Sequence, residues 1–467
     1  MKTEQGRTRL PLRQLLADFE SGSRPKGGVG GILTGIPSLG GEHLNRDGGF
    51  KFEKIKFVPR AFAKAMTHGH LKSGDVLVVK DGATTGKVSL VRSDFPYQDA
   101  VINEHVFRLQ LKKEYQPAYV FYFLYSQIGQ QQILSDFRGA AQGGISQGFV
   151  DKVFVPVVTL DEQQKIVEEV EKQFTRLEAG IVALKRVQAN LKRYRAAVLK
   201  AACEGKLVPT EAELAKKERR KYENGDELLE RILKERRKNW NGRGKYKDPL
   251  AADNANLSQL PQGWTWGTLD SLIREPLRNG HSAKATGTGS GLRVFTLSAV
   301  TEGDFSERNT KLSVATQEKV ADLWAEPGDI YVERSNTPEL VGIARLYKGE
   351  AHFAFIPDLF IRVRVQSPIS VRYVELCLLS EQGRNFFRAR AQGISGTMPN
   401  IDQETVELAP IPLPPLAEQI RIVAEVERRL SVVEELEAAV KLNLDRATRL
   451  RQAILQQAFS GRLYVNN

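Results

Sequence analysis

One offset limits what this chain can fold into. Glu162-Gln163-Gln164-Lys165-Ile166-Val167 returns as Glu418-Gln419-Ile420-Arg421-Ile422-Val423, Ala197-Val198-Leu199 returns as Ala453-Ile454-Leu455, and Gly205-Lys206-Leu207 returns as Gly461-Arg462-Leu463. Each pair lies 256 residues apart, so no insertion separates the copies across roughly 45 residues. A stretch that tolerates no insertion is expected to be a continuous rod. The preceding stretches correspond more loosely: Gly74–Val78 with Gly328–Val332, Gly86–Val88 with Gly342–Ala344, and Ala141–Ser146 with Ala391–Ser395. Their offsets drift between 249 and 256, as loops of different length would require. The expected organisation is a variable unit (1–158), a rigid unit (159–205), a linker (206–262), then a second variable unit (263–414) and a second rigid unit (415–467).

The rigid units read as helices. From Ile166 the apolar positions run Val170, Phe174, Leu177, Ile181, Leu184, Leu191, Val198 and Ala202. The second copy gives Val426, Leu430, Val433, Val440, Leu444, Ala447, Ile454 and Ala458. Spacings of three and four fit a 3.5-residue seam. Asp161 is the expected N-cap, Gly205 and Gly461 the expected stops, and Pro414-Pro415 sets the start of the second helix. A narrow seam on a charged helix fits two arrangements. Each helix could lie on its own domain, or the two could pair, and two copies meeting through equivalent surfaces would pair antiparallel. About 43 residues make a rod of roughly 65 Å, which would hold the variable units at a fixed separation.

The variable units read as mixed α/β. Strands are expected at Asp75–Lys80, Gly86–Arg92 and Glu104–Leu111, then a helix Pro117–Phe137 and a strand Lys152–Val158. The second unit repeats this order with Asp329–Arg334, Gly342–Tyr347, Asp358–Val365, the helix Val371–Arg390 and the strand Val406–Leu413. Between the halves, Glu211–Tyr222 and Asp226–Trp240 read as solvated helices and Asn241-Gly242-Arg243-Gly244 as a loop, forming either a tether or a docking surface. The fold class is therefore α+β: two α/β domains in tandem, each followed by a long helix, the helices pairing as an antiparallel coiled coil with pseudo-two-fold symmetry.

Charge narrows the partner. The chain carries 68 Lys plus Arg against 56 Asp plus Glu, a net +12 that favours an acidic partner such as nucleic acid. Residues 1–158 hold 21 basic and 14 acidic side chains, whereas residues 263–414 hold 16 against 18. If both units bind DNA, the second must gather its arginines on one face. The apolar runs, such as Val120–Tyr125 and Val153–Val158, are far shorter than a membrane span, and no apolar stretch follows the N-terminal charges. Two cysteines, Cys203 and Cys377, build no disulfide framework and fit a reducing cytoplasm, with Cys203 on the apolar face of its helix.

Catalytic motifs are missing. Gly82-Ala83-Thr84-Thr85-Gly86-Lys87 has one residue too few between its glycines for a phosphate loop and no Ser or Thr after the lysine, so it reads as a turn between strands. Gly287–Gly291 reads as a flexible loop. No Asn-Pro-Pro-aromatic tetrapeptide occurs, and no acid-x-Lys follows Pro357-Asp358. His68-Gly69-His70 has nothing nearby to complete a metal set.

The chain resembles the specificity subunits of type I restriction-modification systems. The residues that carry the resemblance are Pro412–Ile420 with its degenerate twin Pro156–Gln163, the paired helix ends Ala197–Val208 and Ala453–Val465, the stretch Leu260–Trp264, and Ser21–Pro25. The first copy departs from the pattern with Val157-Val158-Thr159-Leu160 where the family shows Pro-Pro, and Arg9-Leu10-Pro11-Leu12 stands where a Trp is usual. The resemblance implies two target recognition domains, each reading one half of a bipartite, asymmetric site in double-stranded DNA, with half-sites about one turn (~34 Å) apart. It implies docking of two modification subunits that carry S-adenosylmethionine and methylate adenine, and of restriction subunits that use ATP and Mg. It also implies that this chain is cytoplasmic, binds no cofactor or metal, has no membrane partner and does no chemistry itself. A coiled-coil adaptor with two protein-binding domains is the alternative, and a self-sufficient nuclease or methyltransferase the third reading.

Contact residues do not carry over from the family. Polar residues near strand ends are the candidates: Lys80, Thr84, Thr85, Lys87, Gln142, Ser146 and Gln147 in the first domain, and Arg334, Asn336, Arg345, Gln392, Ser395 and Thr397 in the second. Arg and Lys suit guanine edges, while Asn and Gln suit adenine. Against this stands the possibility that about half of them only hold turns together, Thr84 and Thr85 above all.

Overall fold

The computed structural model describes residues 8–139, 143–239, 246–253, 257–286, 289–393 and 398–462. They form two compact units, Met1–Arg186 with Val440–Asn467, and Val187–Ala439. Both long helices continue from one unit into the other.

In the first unit an antiparallel sheet runs in the order Leu16–Ser21, Val106–Leu111, Val76–Val79, Val88–Leu90. The central strand is apolar at every position because both its faces are covered. Val76 and Val78 meet the helices Pro117–Tyr125 and Gln127–Leu134, and Leu77 and Val79 meet a smaller cluster around Leu39 and Ile102. In the second unit the sheet order is Arg278–Asn279, Phe360–Val363, Ile330–Glu333, Ala344–Leu346, the same arrangement of equivalent strands. The mixed α/β expectation holds.

Two expected helices are broken. Pro117–Phe137 is two helices because the Ser126 N–H closes the first on Tyr122 O (3.0 Å) while its Oγ accepts the Gly129 N–H (3.2 Å) to start the second. A Cβ on Gly129 would lie 2.1 Å from the Phe123 carbonyl oxygen, so the corner needs glycine. Ser380 and Gly383 repeat the corner between Val371–Leu379 and Glu381–Arg390. The two expected terminal strands are also shorter than read. Phe149–Lys152 and Gln403–Glu407 are helical, leaving only Phe154–Pro156 and Pro410–Leu413 extended. Asp402 caps the second of these helices by accepting the Thr405 N–H (2.8 Å).

The segment between the halves is more than a tether: its helices keep a solvated face and bury the other. Glu211–Glu218 and Gly225–Lys238 each begin with a full capping box, at Thr210/Glu213 and Asn224/Glu227. Leu228 and Ile232, one turn apart, are fully buried in the second unit's core beside Trp264. Buried Arg236 donates to Asp270 (2.8 Å). The loop Asn241–Gly244 lies outside the described residues.

The long helices are Leu160–Cys203 and Leu416–Phe459, 44 residues each. Thr159, not Asp161, caps the first, its Oγ1 accepting the Glu162 N–H (3.3 Å). Gly205 and Gly461, at φ 65° and 77°, end them as expected. In the first unit Ile166, Val167 and Val170 share a core with Ile454, Leu455 and Ala458. In the second, Val198, Leu199 and Ala202 share one with Ile422, Val426 and Leu430. The start of each helix therefore meets the end of the other, and they pair antiparallel along the expected seam. Unexpected ion pairs mark the register: Arg451 with Glu178 in the first unit, and Arg195 with Glu437 (3.0 Å) and Glu434 (3.8 Å) in the second. Arg195 and Glu434 sit 256 residues from Arg451 and Glu178, so the same contact is made twice.

The repeated glutamine has a structural role. Buried Gln163 accepts the Gln116 N–H (2.8 Å), and buried Gln419 accepts the Ser370 N–H (3.0 Å) while donating to the Pro414 carbonyl (3.0 Å). Each ties the start of a long helix to the start of the domain helix beside it. Gln419→Leu strands two buried backbone groups and is expected to destabilise the second unit by about 1–3 kcal/mol, read from urea unfolding by tryptophan fluorescence. No change in the midpoint would show that the bonds carry no net stability. Nearby, the free thiols of Cys203 and Cys377 pack 3.7 Å apart in the core.

Candidate nucleic-acid interface

In the first unit the turn 80–87, which follows the central strand, closes on the loop 138–147. Ile145 N–H donates to Lys80 O (2.8 Å), Gly82 N–H to Gly143 O (3.3 Å), and Asp81 and Arg138 both bridge to Gly144. In the second unit the turn 334–343 closes on the segment 392–400. Ile401 N–H donates to Arg334 O (2.9 Å), and Ser335 and Gln392 both bridge to Asn400. Each turn ends in a glycine with positive φ, Gly86 at 83° and Gly342 at 73°. A Cβ on Gly342 would sit 2.5 Å from that of Phe387, so the turn can lie on the helix below only without a side chain. Each unit thus presents, at the same end of its sheet, a polar turn tied by backbone bonds to the described residues of a second segment.

The candidate residues divide. Gln147 and Gln392 are exposed, and Lys80 and Arg334 are half-buried, all on these paired loops. Others hold the loops together. Thr85 Oγ1 donates to Gly82 O (2.7 Å), Thr84 Oγ1 to Gly41 O (3.4 Å), Ser146 Oγ to Asp136 (2.6 Å) and Asn336 Nδ2 to Glu333 (2.7 Å). Burial pushes the Asp136 carboxyl up, but Lys152 and Ser146 outweigh it and hold it down at about 2. Lys87 donates to Leu44 O (3.2 Å) inside a crevice shared with Arg46 and Lys51; burial and those two cations pull its ammonium below its ordinary value. Arg345 also lines a crevice, together with Glu339 and Ile343 of the turn 334–343. Gln142, Ser395 and Thr397 lie outside the described residues.

Two groups on the same edge escaped the sequence reading. His105 Nδ1 lies 2.6 Å from Asp81, at the base of the first turn, and Arg138, whose side chain is 74% exposed, flanks the loop. A basic residue beside the Gly-rich stretch was the available signal for Arg138. His68 and His70 bond to Ser23 (3.0 Å) and the Met66 carbonyl (3.2 Å), and among the described residues no three His, Cys, Asp or Glu gather for a metal. The acidic excess of residues 263–414 is largely engaged: Asp329 with Arg364 (2.6 Å), Asp270 with Arg236, Glu375 with Arg372, and Glu333 with Thr301 and Asn336.

Comparison with known proteins follows the same lines. Residues 62–185 match the family model of the type I restriction modification DNA specificity domain. The chain is 24% identical over 347 residues to the EcoKI specificity subunit of Escherichia coli strain K12, covering 74% of this chain and 65% of that one. It is 25% identical over 312 residues to the Escherichia coli EcoEI specificity subunit, covering 65% of this chain and 51% of that one. The matched stretches therefore span under two thirds of these relatives' length. A chain solved for complex assembly and conformational transition of the type I R-M system is 19% identical, with a TM-score of 0.62 over 97% of this chain and 98% of that one, and shares the fold. On these matches, residues 62–185 carry a type I restriction modification DNA specificity domain, and the chain as a whole is similar to the specificity subunits of type I restriction enzymes.

Proposed function

We propose that this chain is the non-catalytic, DNA-reading subunit of a cytoplasmic methylation and restriction complex. Residues 1–158 and 263–414 each read one half of a bipartite asymmetric site in double-stranded DNA. The helices at 159–205 and 415–467 set the gap, and residues 206–262 complete the second half. The observation that carries the reading is the repeated polar turn, tied to the described residues of a second segment, at one end of each sheet. The two copies share a scaffold and differ in side chains, as two readers of different sequences would. Lys80, Gln147, Arg334 and Gln392 are the foremost base-reading candidates on them, and Gln142, Ser395 and Thr397, outside the described residues, remain candidates from the sequence. Two modules on one continuous support also gain affinity from effective concentration when their spacing suits the duplex.

Partner docking has its own support. Val182 and Val187 on the first long helix, and Ile420, Val432 and Leu436 on the second, are 42–64% exposed, an excess of apolar surface on otherwise charged helices. Two modification subunits carrying S-adenosylmethionine would cover it, and restriction subunits using ATP and Mg would join them. No described helix is long and apolar enough to cross a membrane.

Exchanging residues 263–414 for those of another specificity subunit is expected to change one half of the methylated sequence and leave the other. Genome-wide adenine methylation in cells also expressing the modification subunit reads this directly. A change in both halves at once would defeat the modular reading.

A further inference from the structure

Beside the turn 334–343 the second unit contains an open crevice of about 670 Å³ between its domain helices and the long helices. Six cationic and four acidic side chains line it, the latter Glu302, Glu339, Glu375 and Glu434, and the cations are of two kinds. Arg195, Arg372 and Lys348 have carboxylates close by, with Glu437 3.0 Å from the first and Glu427 3.2 and 3.9 Å from the others. Arg345, Arg384 and Arg388 have none within 4 Å among the described residues. Arg384 and Arg388 instead share one backbone acceptor, the Glu339 carbonyl (2.9 and 3.0 Å), and Arg345 reaches only the Ala344 carbonyl (3.3 Å). Arg384 is 8% exposed and its Nη1 has no partner. Burial, with Arg388 and Arg345 alongside, pulls Arg384 down to about 10.

Glu333 and Glu375 act on Arg384 and Arg345 only from a distance, so the buried Arg384 guanidinium, flanked by two further arginines and without a paired carboxylate, is costly unless an anion joins it. The three guanidiniums come from a helix and a strand rather than one plane, which suits a tetrahedral oxyanion with acceptors on several sides. The first unit makes the contrast. Where the second has Arg345, Arg384 and Arg388, the first has Ser89, Gln130 and Leu134, and Gln130 is satisfied within the protein by donating to Gly86 O (3.0 Å). The added charge belongs to the domain with the acidic excess, whose overall charge would otherwise oppose a polyanion.

We propose that this crevice is a phosphate-binding site, and that it seats a backbone phosphate of the duplex next to the half-site read by the second unit. The identity of that phosphate rests on the DNA-reading function; the site itself does not. Arg345 then anchors the backbone rather than reading a base.

The full-length chain tests this with two probes, a fluorescent duplex and inorganic phosphate. Arg384→Gln and Arg345→Gln are each expected to reduce the slope of log affinity against log salt by about 1 and to weaken all sequences alike, while Arg384→Lys keeps the slope. Inorganic phosphate is expected to raise the melting temperature of the wild type but not of the glutamine variants. Arg384→Gln removes a buried unpaired charge and is expected to melt no lower than the wild type, so a binding loss is not a folding loss. Loss of the phosphate response with an unchanged slope would keep the site and assign it to a free phosphate compound. A wild type that binds no duplex would overturn the DNA reading, leaving the phosphate response to judge the site. An unchanged slope together with no variant-sensitive phosphate response would overturn the site.

Discussion

Deleting residues 183–189 together with 440–446 is expected to shorten the unspecified gap in the methylated sequence by about three base pairs. Seven residues at 1.5 Å each remove about 10 Å from a helix, and the duplex rises ~3.4 Å per base pair. Both deletions fall between the register-marking ion pairs, so Arg195, Glu434, Glu437, Glu178 and Arg451 all remain. Seven residues are two turns of the 3.5-residue seam, so the apolar positions on either side of the cut stay on one stripe.

Two controls separate length from damage. Removing seven residues from one helix alone offsets every seam contact beyond the cut and is expected to abolish site-specific methylation. Removing four from each breaks the heptad phase as well as shortening the helices, and the same loss is expected. The readout is the methylated motif in cells supplying the modification subunit. An unchanged gap after the paired deletion would mean that the helices do not set the spacing, whatever else they hold.

The parts of the fold legible in the sequence are those whose residues repeat a pattern over many turns. Val426, Leu430, Val433, Val440 and Ile454 are buried where the seam placed them, and the central strands end within two residues of their expected limits. Single side chains that redirect the backbone were illegible. Phe121 to Tyr125 is so apolar that the pattern runs past Ser126, and only the closeness of Gly129 to the preceding turn shows that the chain corners there. The charged segment 211–238 misled in the opposite direction. Its few apolar residues, Leu228 and Ile232, are the ones the second core covers, and capping boxes fix the helices that present them.

At the site, the turns were legible and the roles were not. A threonine or serine beside a glycine turn bonds the nearest carbonyl or carboxylate as readily as it faces a ligand, and Thr84, Thr85 and Ser146 do so. Arg345 has the right chemistry for a base edge, yet its strand directs it into the crevice. The interhelical pairs around Arg195 and Arg451 were hidden for a related reason. On a charged helix, an arginine that crosses to a partner looks like one that faces water.

Arg108→Ala is expected to destabilise the first unit by about 3–5 kcal/mol. Arg108 is 4% exposed and holds three carboxylates: Glu20 at 2.7 Å, Asp75 at 3.3 Å, and Asp18. Asp75, 1% exposed, keeps only the Lys72 N–H (2.7 Å) once the guanidinium is gone, leaving a buried charge without a counter-ion. The sign of the pH dependence distinguishes this cause from lost packing. Burial already pushes the Asp75 carboxyl above its ordinary value, and removing Arg108 pushes it further. A carboxyl raised in the folded state destabilises it above the unfolded pKa, and the penalty shrinks as pH falls through the folded pKa. Glu20 behaves as its counterpart. Burial pushes it up, but the Gly69 N–H and Arg108 together hold it below its ordinary value, a contribution the variant loses at neutral pH and has no need of in acid. The stability deficit is therefore expected to narrow between pH 8 and pH 5. The described tryptophans, Trp264, Trp266 and Trp324, lie in the second unit, so their fluorescence follows that unit while circular dichroism follows both. In urea the variant is expected to show an earlier dichroism transition with the tryptophan transition unmoved. A deficit that is under ~1 kcal/mol at pH 8, or that widens toward pH 5, would mean the buried carboxylates do not depend on Arg108.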